Sequence, residues 1–103
     1  MPKPVRLDPE AVEEIDAGVG WYEAQRPGLG RQFFEEVRNA VRTLAAPGPE
    51  CRPAFGVAKD LGVRRKLVRR FPYVALFIEL PTAVRVIAVA HAKRHPRYWT
   101  DRV

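Results

Sequence analysis

Basic side chains concentrated in one half of the sequence are its clearest indication of chemistry. Residues 51–103 contain twelve Lys and Arg against three Asp and Glu, whereas residues 1–50 contain six basic and nine acidic residues. The balance is +9 in the second half and −3 in the first, which together give the formal net charge of +6. Like charges at this density repel one another, so they indicate a polyanion or an acidic protein as partner.

Most of the excess positive charge lies in segments 64–70 and 91–97, and Arg85 lies between these two segments. Guanidinium groups bind phosphate bidentately, and each neutralised phosphate adds salt-dependent affinity. The alternative is a solvated edge strand, where Lys and Arg discourage unwanted strand pairing. Alternation along a strand at 64–69 places charge on both faces, which a purely solvated strand does not need. The predicted target- or phosphate-binding residues are Arg64, Arg65, Lys66, Arg69, Arg70, Arg85, Lys93 and Arg94.

Arg85 is unusual because it interrupts an aliphatic run, and burying an unpaired charge is costly. Counting along a regular strand puts Arg85 on the same face as His91, with Ile87 and Val89 between them. Two interpretations remain open. Arg85 belongs to an anion site, or it lies at a strand end, where it reaches solvent or pairs with Glu79 across a hairpin.

Three groups near the C-terminus can transfer protons: His91, His95 and Tyr98. Histidine titrates near neutral pH and arginines stabilise a pentacoordinate phosphate, so this inventory suffices for metal-free RNA cleavage by the 2′-hydroxyl. If the protein is a nuclease, these are its predicted catalytic residues. The two histidines are spaced as in some zinc sites, but Lys93 and Arg94 would repel a cation. We therefore predict no metal and no cofactor.

The first half of the chain predicts a helical hairpin. Asp8 is a suitable N-cap and Pro9 fits the first helical position. Apolar residues then recur at helical spacing on both sides of a turn at 26–30, and Pro47 stops the second helix. The two apolar stripes are Val12, Ile15, Val19 and Tyr22, then Phe34, Val37, Val41 and Leu44.

The second half changes to the two-residue period of strands. Segments 64–69, 73–80 and 83–90 are predicted strands, a short strand at 3–7 precedes the first helix, and residues 51–63 read as a loop. Apolar residues on both faces of 73–80 predict a central strand with one face packed on the helices. Helices followed by antiparallel strands predict an α+β domain, with an N-terminal helical hairpin on a small antiparallel sheet.

Length and composition fit one domain spanning residues 1–103. Hydrophobic residues make up 47% of the 103 positions, which is enough for a core. Cys51 is the only cysteine, so no internal disulfide forms and a reducing compartment fits. No apolar run approaches the roughly 20 residues that cross a bilayer, and the N-terminus lacks the apolar stretch of a signal peptide. We predict a cytoplasmic protein with no membrane partner.

In element order and in several motifs the chain resembles the RelE/ParE superfamily of toxins from type II toxin–antitoxin, or plasmid stabilisation, modules. Four segments carry the resemblance, in the same order: Leu7–Ala11, Trp21–Gly30, Arg64–Tyr73 and Val84–Trp99. The resemblance implies a curved antiparallel sheet under the helical hairpin and a cognate antitoxin whose flexible segment wraps the toxin. Because Tyr22 is on the apolar stripe and Trp21 lies beside it, we predict that both are packing residues, with Trp21 against the sheet or an antitoxin helix.

The superfamily divides by target. The resemblance implies either a ParE-like toxin that inhibits growth by acting on DNA gyrase, or a RelE-like endoribonuclease that cleaves mRNA on the ribosome without a metal. The segment Trp21–Gly30 looks ParE-like and the C-terminal tail departs from the nuclease pattern, so we favour the gyrase target. A nucleic-acid-binding module without toxicity is the third interpretation.

Overall fold

The computed structural model describes residues 2–54, 62–94 and 98–103. Within these ranges, two helices and five strands follow one another along the chain, and a 3-10 turn at Thr100–Arg102 lies near its end. The elements are β1 (Val5–Leu7), α1 (Pro9–Gln25), α2 (Leu29–Thr43), β2 (Arg52–Pro53), β3 (Val63–Leu67), β4 (Tyr73–Glu79) and β5 (Val84–His91).

The strands form one sheet in the order β1-β5-β4-β3-β2. The α+β class and the central position of β4 are confirmed, but the sheet is mixed rather than purely antiparallel, because β1 pairs with β5 in parallel. No tight turn joins these two strands, so their relative direction is set by where the chain enters α1 rather than by a hairpin. The predicted loop at 51–63 also contains β2, a two-residue strand paired with Arg64 and Arg65.

The helical hairpin packs on one face of the sheet, here called the inner face. Four rings form its centre, with neighbouring centroids 4.8 to 6.2 Å apart: Tyr22, Phe33, Phe71 and Tyr73. Gly18 allows α1 to approach α2, because a Cβ there would lie 2.6 Å from a ring carbon of Phe33. Apolar burial on this face is the main stabilising contribution to the fold.

The turn between the helices is organised by Glu23. Gly28 adopts a positive φ of 88°, which glycine tolerates at no steric cost. The Glu23 carboxylate accepts hydrogen bonds of 3.1 Å from the backbone N–H groups of Gly28 and Gly30. It thereby satisfies N–H groups at the start of α2 that have no partner within the helix.

The opposite surface of the sheet, here called the open face, carries a second apolar cluster. Its buried members are Ala54, Val63, Leu76, Ile87, Ala88 and Trp99. They come from the strands and the C-terminal segment, whereas both helices pack on the inner face. Trp99 is 2% exposed, so the chain end partly covers the open face.

A β-bulge in β5 changes the face of the sheet to which the following residues of this strand point. Phe77 pairs with Val86 and Leu76 pairs with Ala88, which leaves Ile87 as an additional residue. Before the bulge Val86 packs on the inner face, and after it Val89 does. Arg85 and His91 therefore lie on opposite faces, and the same-face prediction from simple alternation is wrong.

Candidate functional site

The predicted basic cluster on β3 is split between structural contacts and the open face. Arg64 donates hydrogen bonds to the Cys51 and Gly48 carbonyls (3.2 and 3.1 Å) and pairs with Glu79 at 3.3 Å. Its guanidinium lies 5.5 Å from the centre of the Phe77 ring. Arg64 therefore ties the loop before β2 to the sheet.

Two more residues of the cluster form ion pairs with the first half of the chain. The Lys66 Nζ lies 3.3 Å from a carboxylate oxygen of Glu50, and the Arg70 Nε lies 3.7 Å from Glu36. Arg70 also has a positive φ of 70°, which is uncommon for a residue with a side chain. Its side chain is 72% exposed, so this pair is the more solvated of the two.

The two other arginines of the cluster, Arg65 and Arg69, lie on the open face and in an exposed turn. Arg65 lies on the open face, because Val63 on the same strand packs into the cluster there. Arg52 is its direct cross-strand partner, which puts two guanidinium side chains side by side. Arg69 is exposed in the turn after β3. Sequence reasoning missed Arg52, because a two-residue strand leaves no periodic signal.

Arg85 forms an ion pair with Asp8. It donates to both carboxylate oxygens of Asp8 at 2.8 to 3.1 Å and to the Arg102 carbonyl at 2.7 Å. The hydrogen bonds to Asp8 raise the pKa of Arg85. Asp8 is the N-cap residue of α1, yet its side chain makes no capping bond because it binds Arg85. The predicted alternative partner, Glu79, instead pairs with Lys3 and Arg64.

Glu14 joins the C-terminal segment to the edge of β5. It accepts hydrogen bonds from the Tyr98 hydroxyl at 2.5 Å, the Arg102 guanidinium at 2.9 Å and the Val89 N–H at 3.1 Å. Arg102 also donates to the Ile87 carbonyl at 3.0 Å. The Glu14 and Arg102 side chains thus bind the Val89 N–H and the Ile87 carbonyl on the edge of β5, beyond the point where its pairing with β1 ends. Burial and the bond to Glu14 raise the pKa of Tyr98 strongly, so its hydroxyl stays protonated.

His91 lies at the end of β5 on the inner face. Its Nδ1 accepts a hydrogen bond from the Lys93 N–H at 3.0 Å, so Nε2 carries the proton in the neutral ring. The ring packs edge-on against Tyr73, with 5.2 Å between centroids. Lys93 and Arg94 are exposed just beyond the strand. His95, the third predicted catalytic residue, lies outside the described residues.

Two grooves meet near His91 and Arg94, which line both. The larger, about 550 Å³, runs between α1 and the ends of β4 and β5, beside the 60% exposed ring of Trp21. The smaller, about 210 Å³ and here called the open-face groove, crosses the open face. Four of the predicted site residues line the open-face groove: Arg65, His91, Arg94 and Tyr98. Tyr22 packs in the inner core as predicted, but much of Trp21 faces solvent.

Among the described residues, no group of three or more His, Cys, Asp or Glu side chains could hold a metal ion. Within the same residues, no helix is both long and apolar enough to cross a membrane. Cys51 is buried, and burial raises the pKa of its thiol, so it is a poor nucleophile.

Comparison with known proteins places this geometry in a family. A family model described as the ParE toxin of the type II toxin–antitoxin system parDE matches residues 5–96, which include both helices and all five strands. A solved structure titled "Chromosomal ParDE TA system from P. aeruginosa" matches with a TM-score of 0.75 at 17% identity, covering 86% of this chain and 95% of that chain. At this identity the structural match shows the fold alone. Comparison with curated proteins finds no match.

Proposed function

Because the chain belongs to the ParE toxin family of type II toxin–antitoxin systems, we propose that it inhibits growth by acting on DNA gyrase. We further propose that it does so in the cytoplasm and that a cognate antitoxin neutralises it. The structural relative comes from a system named for both a toxin and an antitoxin, which supports the expectation of such a partner. We expect the surface formed by the basic half of the chain to contact both DNA gyrase and the antitoxin.

The engagement of Tyr98 and Arg85 in structural contacts is the observation that favours gyrase over mRNA as target. A metal-free nuclease needs a proton-transfer group and cations around one phosphate. Tyr98 donates a hydrogen bond to Glu14, and Arg85 forms an ion pair with Asp8. Tyr98 lines the open-face groove, but its hydroxyl is bound to Glu14, and Arg85 lines neither groove. His91 is then the predicted proton-transfer group in the groove whose side chain is not held by a carboxylate in the described contacts.

A ribosome-dependent mRNA endoribonuclease is the second candidate function. It is supported by the open-face groove, where His91, Arg65 and Arg94 lie together. A histidine with nearby guanidinium groups is a reasonable start for phosphoryl chemistry. The same basic surface would also suit a non-toxic nucleic-acid-binding module.

Induced expression without antitoxin, at confirmed protein level, separates the three functions. A gyrase toxin should produce a DNA damage response and filamentation while messages stay intact. Early loss of translation with cleaved messages would instead identify the nuclease. Normal growth would exclude both toxins and leave the binding module.

A charge-matched pair of variants locates the active surface. The variant Arg69→Gln, Lys93→Gln, Arg94→Gln removes three exposed cations beside the sheet, and we expect it to relieve growth arrest by at least about tenfold in surviving cells. The control Arg31→Gln, Arg38→Gln, Arg42→Gln removes the same charge from the exposed side of α2 and should remain toxic. Equal toxicity of both variants would show that the basic sheet surface is only a solvated face.

A further inference from the structure

We propose that the larger groove, between α1 and the ends of β4 and β5, binds a nucleoside phosphate. Its base stacks on Trp21, and its phosphate binds Arg94 and His91. The ligand is a free nucleotide or one nucleotide of a single strand, since both carry the same base and phosphate. This inference deepens the proposed function by naming a ligand of the toxin. It rests on that function for its biological setting alone, because nucleotide binding is measured on the purified chain.

The larger groove has the size and shape of a small-molecule site. Helical spacing puts Glu14, Ala17, Gly18 and Trp21 on one face of α1, and all four line the groove. The small residues Ala17 and Gly18 leave space between the two larger side chains, and Ala90 on β5 adds little bulk from the sheet. The groove volume of about 550 Å³ lies within the range of ligand pockets, which is about 300 to 1,000 Å³.

Trp21 supplies a ring on which a base can stack. Its centroid lies 5.0 Å from that of Tyr22 at an interplanar angle of 89°, and this contact orients the indole while Trp21 remains 60% exposed. Aromatic rings that are accessible in this way bind nucleobases by stacking, whatever the base, because every base has a π-face. The open-face groove offers no such position, since Trp99 is 2% exposed and the Arg94 guanidinium lies 4.2 Å from the Tyr98 ring centre.

The turn after β5 supplies anion-binding groups across the groove from α1. The backbone N–H groups of Lys93 and Arg94 bond to Nδ1 and the carbonyl of His91 at 3.0 and 2.9 Å, and this closes the turn. His91 and Arg94 both line the groove, and Lys93 is exposed between them. The His91 Nε2–H is a donor, and a guanidinium binds phosphate bidentately.

The carboxylate of Glu14 does not oppose an anion in the groove. Glu14 is the one acidic residue among the described residues that line it. Its oxygens accept hydrogen bonds from the Tyr98 hydroxyl, the Arg102 guanidinium and the Val89 N–H, so its charge is compensated within the protein.

A nucleoside phosphate uses more of these features than other ligands do. Inorganic phosphate would engage only the turn after β5, and an aliphatic peptide would engage only the apolar walls. A nucleotide places a planar base beside Trp21 and a multiply charged group beside Arg94 and His91. The two contacts reinforce each other because one covalent frame joins them.

Isothermal titration calorimetry with a nucleotide and its two fragments tests the proposal. The probes are AMP, adenosine and ribose 5-phosphate, and we expect AMP to bind at least about tenfold more tightly than either fragment. Trp21→Leu should weaken AMP binding about tenfold and leave ribose 5-phosphate within about twofold. Arg94→Gln should weaken both phosphates about tenfold and leave adenosine within about twofold. His91→Ala should weaken both phosphates about threefold.

A second set of probes distinguishes the two sources of the nucleotide. They are a single strand of roughly five deoxyadenosine nucleotides, an RNA strand of the same length and a blunt-ended DNA duplex. Tighter binding of AMP would identify a free nucleotide as ligand, whereas tighter binding of a strand would identify a nucleic acid. In either case Trp21→Leu should weaken the tighter ligand. The duplex should gain nothing from Trp21, because its bases are already stacked on one another.

Matched variants control for charge and folding. Arg38→Gln removes one exposed charge from α2, and Leu80→Ser changes an exposed apolar residue away from the groove, so both should stay within about twofold of the unaltered chain. Trp21→Phe keeps an aromatic ring and should retain most of the AMP affinity. Circular dichroism melts identify any variant whose loss reflects unfolding, and for such a variant Trp21→Phe and Arg94→Gln decide the outcome.

Four results would overturn the proposal: equal affinity for AMP and ribose 5-phosphate, an unchanged AMP affinity in Trp21→Leu, Trp21-dependent binding of the duplex, or equal losses in the control variants. Trp21-dependent binding of the tetrapeptide Leu-Glu-Leu-Glu that is tighter than that of AMP would assign the groove to a peptide instead. The proposed function fails separately. Nucleotide binding as described in a chain that leaves growth unchanged supports the groove and removes the toxin function. Growth arrest by a chain that binds no nucleotide does the reverse.

Discussion

The two halves of the chain carry opposite charge, and the structure joins them through that charge. Among the described residues, four ion pairs combine a carboxylate from residues 1–50 with a base from residues 51–103. Part of the charge of the basic half is thus neutralised by carboxylates of the acidic half. The pairs are Glu50 with Lys66, Glu36 with Arg70, Asp8 with Arg85 and Glu14 with Arg102.

These contacts differ in how much water surrounds them. The side chains of Glu14 and Arg102 are 19% and 15% exposed, whereas Arg70 is 72% exposed. An exposed pair is screened by water and salt and stabilises little, whereas removing one partner of a sheltered pair leaves a charge without compensation. The ion pair between Glu14 and Arg102 should therefore hold the two halves together more strongly than the ion pair between Glu36 and Arg70.

The largest effect is expected from Glu14→Ala. The change leaves the Tyr98 hydroxyl, the Arg102 guanidinium and the Val89 N–H without their shared acceptor. We expect it to lower the free energy of unfolding by about 3 kcal/mol, measured by urea denaturation. Glu36→Ala breaks the more exposed pair with Arg70 and should cost less than about 1 kcal/mol. Equal losses would contradict the distinction between the two pairs.

The substitution Gly18→Ala tests the apolar packing between the helical hairpin and the sheet. A Cβ at this position would lie 2.6 Å from the Phe33 ring, which is enclosed by Tyr22, Phe71 and Tyr73. We expect Gly18→Ala to destabilise by about 2 kcal/mol, because the ring has no space to move.

The control for this change lies on the same helix. A Cβ added at Gly20 would have nothing within 4 Å, so Gly20→Ala should stabilise by about 0.5–1 kcal/mol through helix propensity. Thermal melts should therefore shift in opposite directions for the two substitutions. Stabilisation by both would show that α1 and α2 adjust easily.

A smaller loss than for Glu14→Ala or Gly18→Ala is expected from Tyr98→Phe, which removes one hydrogen bond to Glu14 and should cost about 1 kcal/mol at neutral pH. Burial, followed by the bond to Glu14, raises the pKa of Tyr98 in the folded chain. The unfolded chain therefore loses this proton first, and the stabilisation, complete below about pH 10, is lost as pH rises further.

The pH dependence gives this prediction a second readout. Tyr98→Phe should flatten the alkaline fall in stability, measured by denaturation across a pH series. A smaller slope should remain, since burial also raises the pKa of Tyr22 and Tyr73. An unchanged slope would show that Tyr98 ionises independently of folding.

Much of the fold follows from local sequence patterns. The Asp8–Pro9 start of α1 and most of the two apolar stripes were predictable, because they express a helical period within a short window. Val12 and Phe34 were wrongly placed on the buried stripes, since they are 42% and 46% exposed. The central position of β4 followed from apolar residues on both of its faces. The parallel direction of β1 and the existence of β2 were not predictable, since strands of three and two residues carry almost no period.

The candidate site was less predictable than the fold. The sequence predicted binding roles for Arg64, Lys66, Arg70 and Arg85, but it could not show the carboxylates with which they pair. Glu14 and Arg102 were missed because nothing near either residue in sequence marks it as half of a pair.

The sequence by itself determined the order of the helices and of every strand except β2, the helical hairpin, the family resemblance and the separation of charge. Only the tertiary structure decided which carboxylates meet Lys66, Arg70, Arg85 and Arg102, and which residues line the open-face groove. Asp8 and Arg85 are 77 positions apart and Glu14 and Tyr98 are 84 apart, so no local pattern relates them. The extra residue at Ile87 then places Arg85 and His91 on opposite faces. Electrostatic pairing depends on distance in space, and a single bulge is enough to change which surface presents a charge.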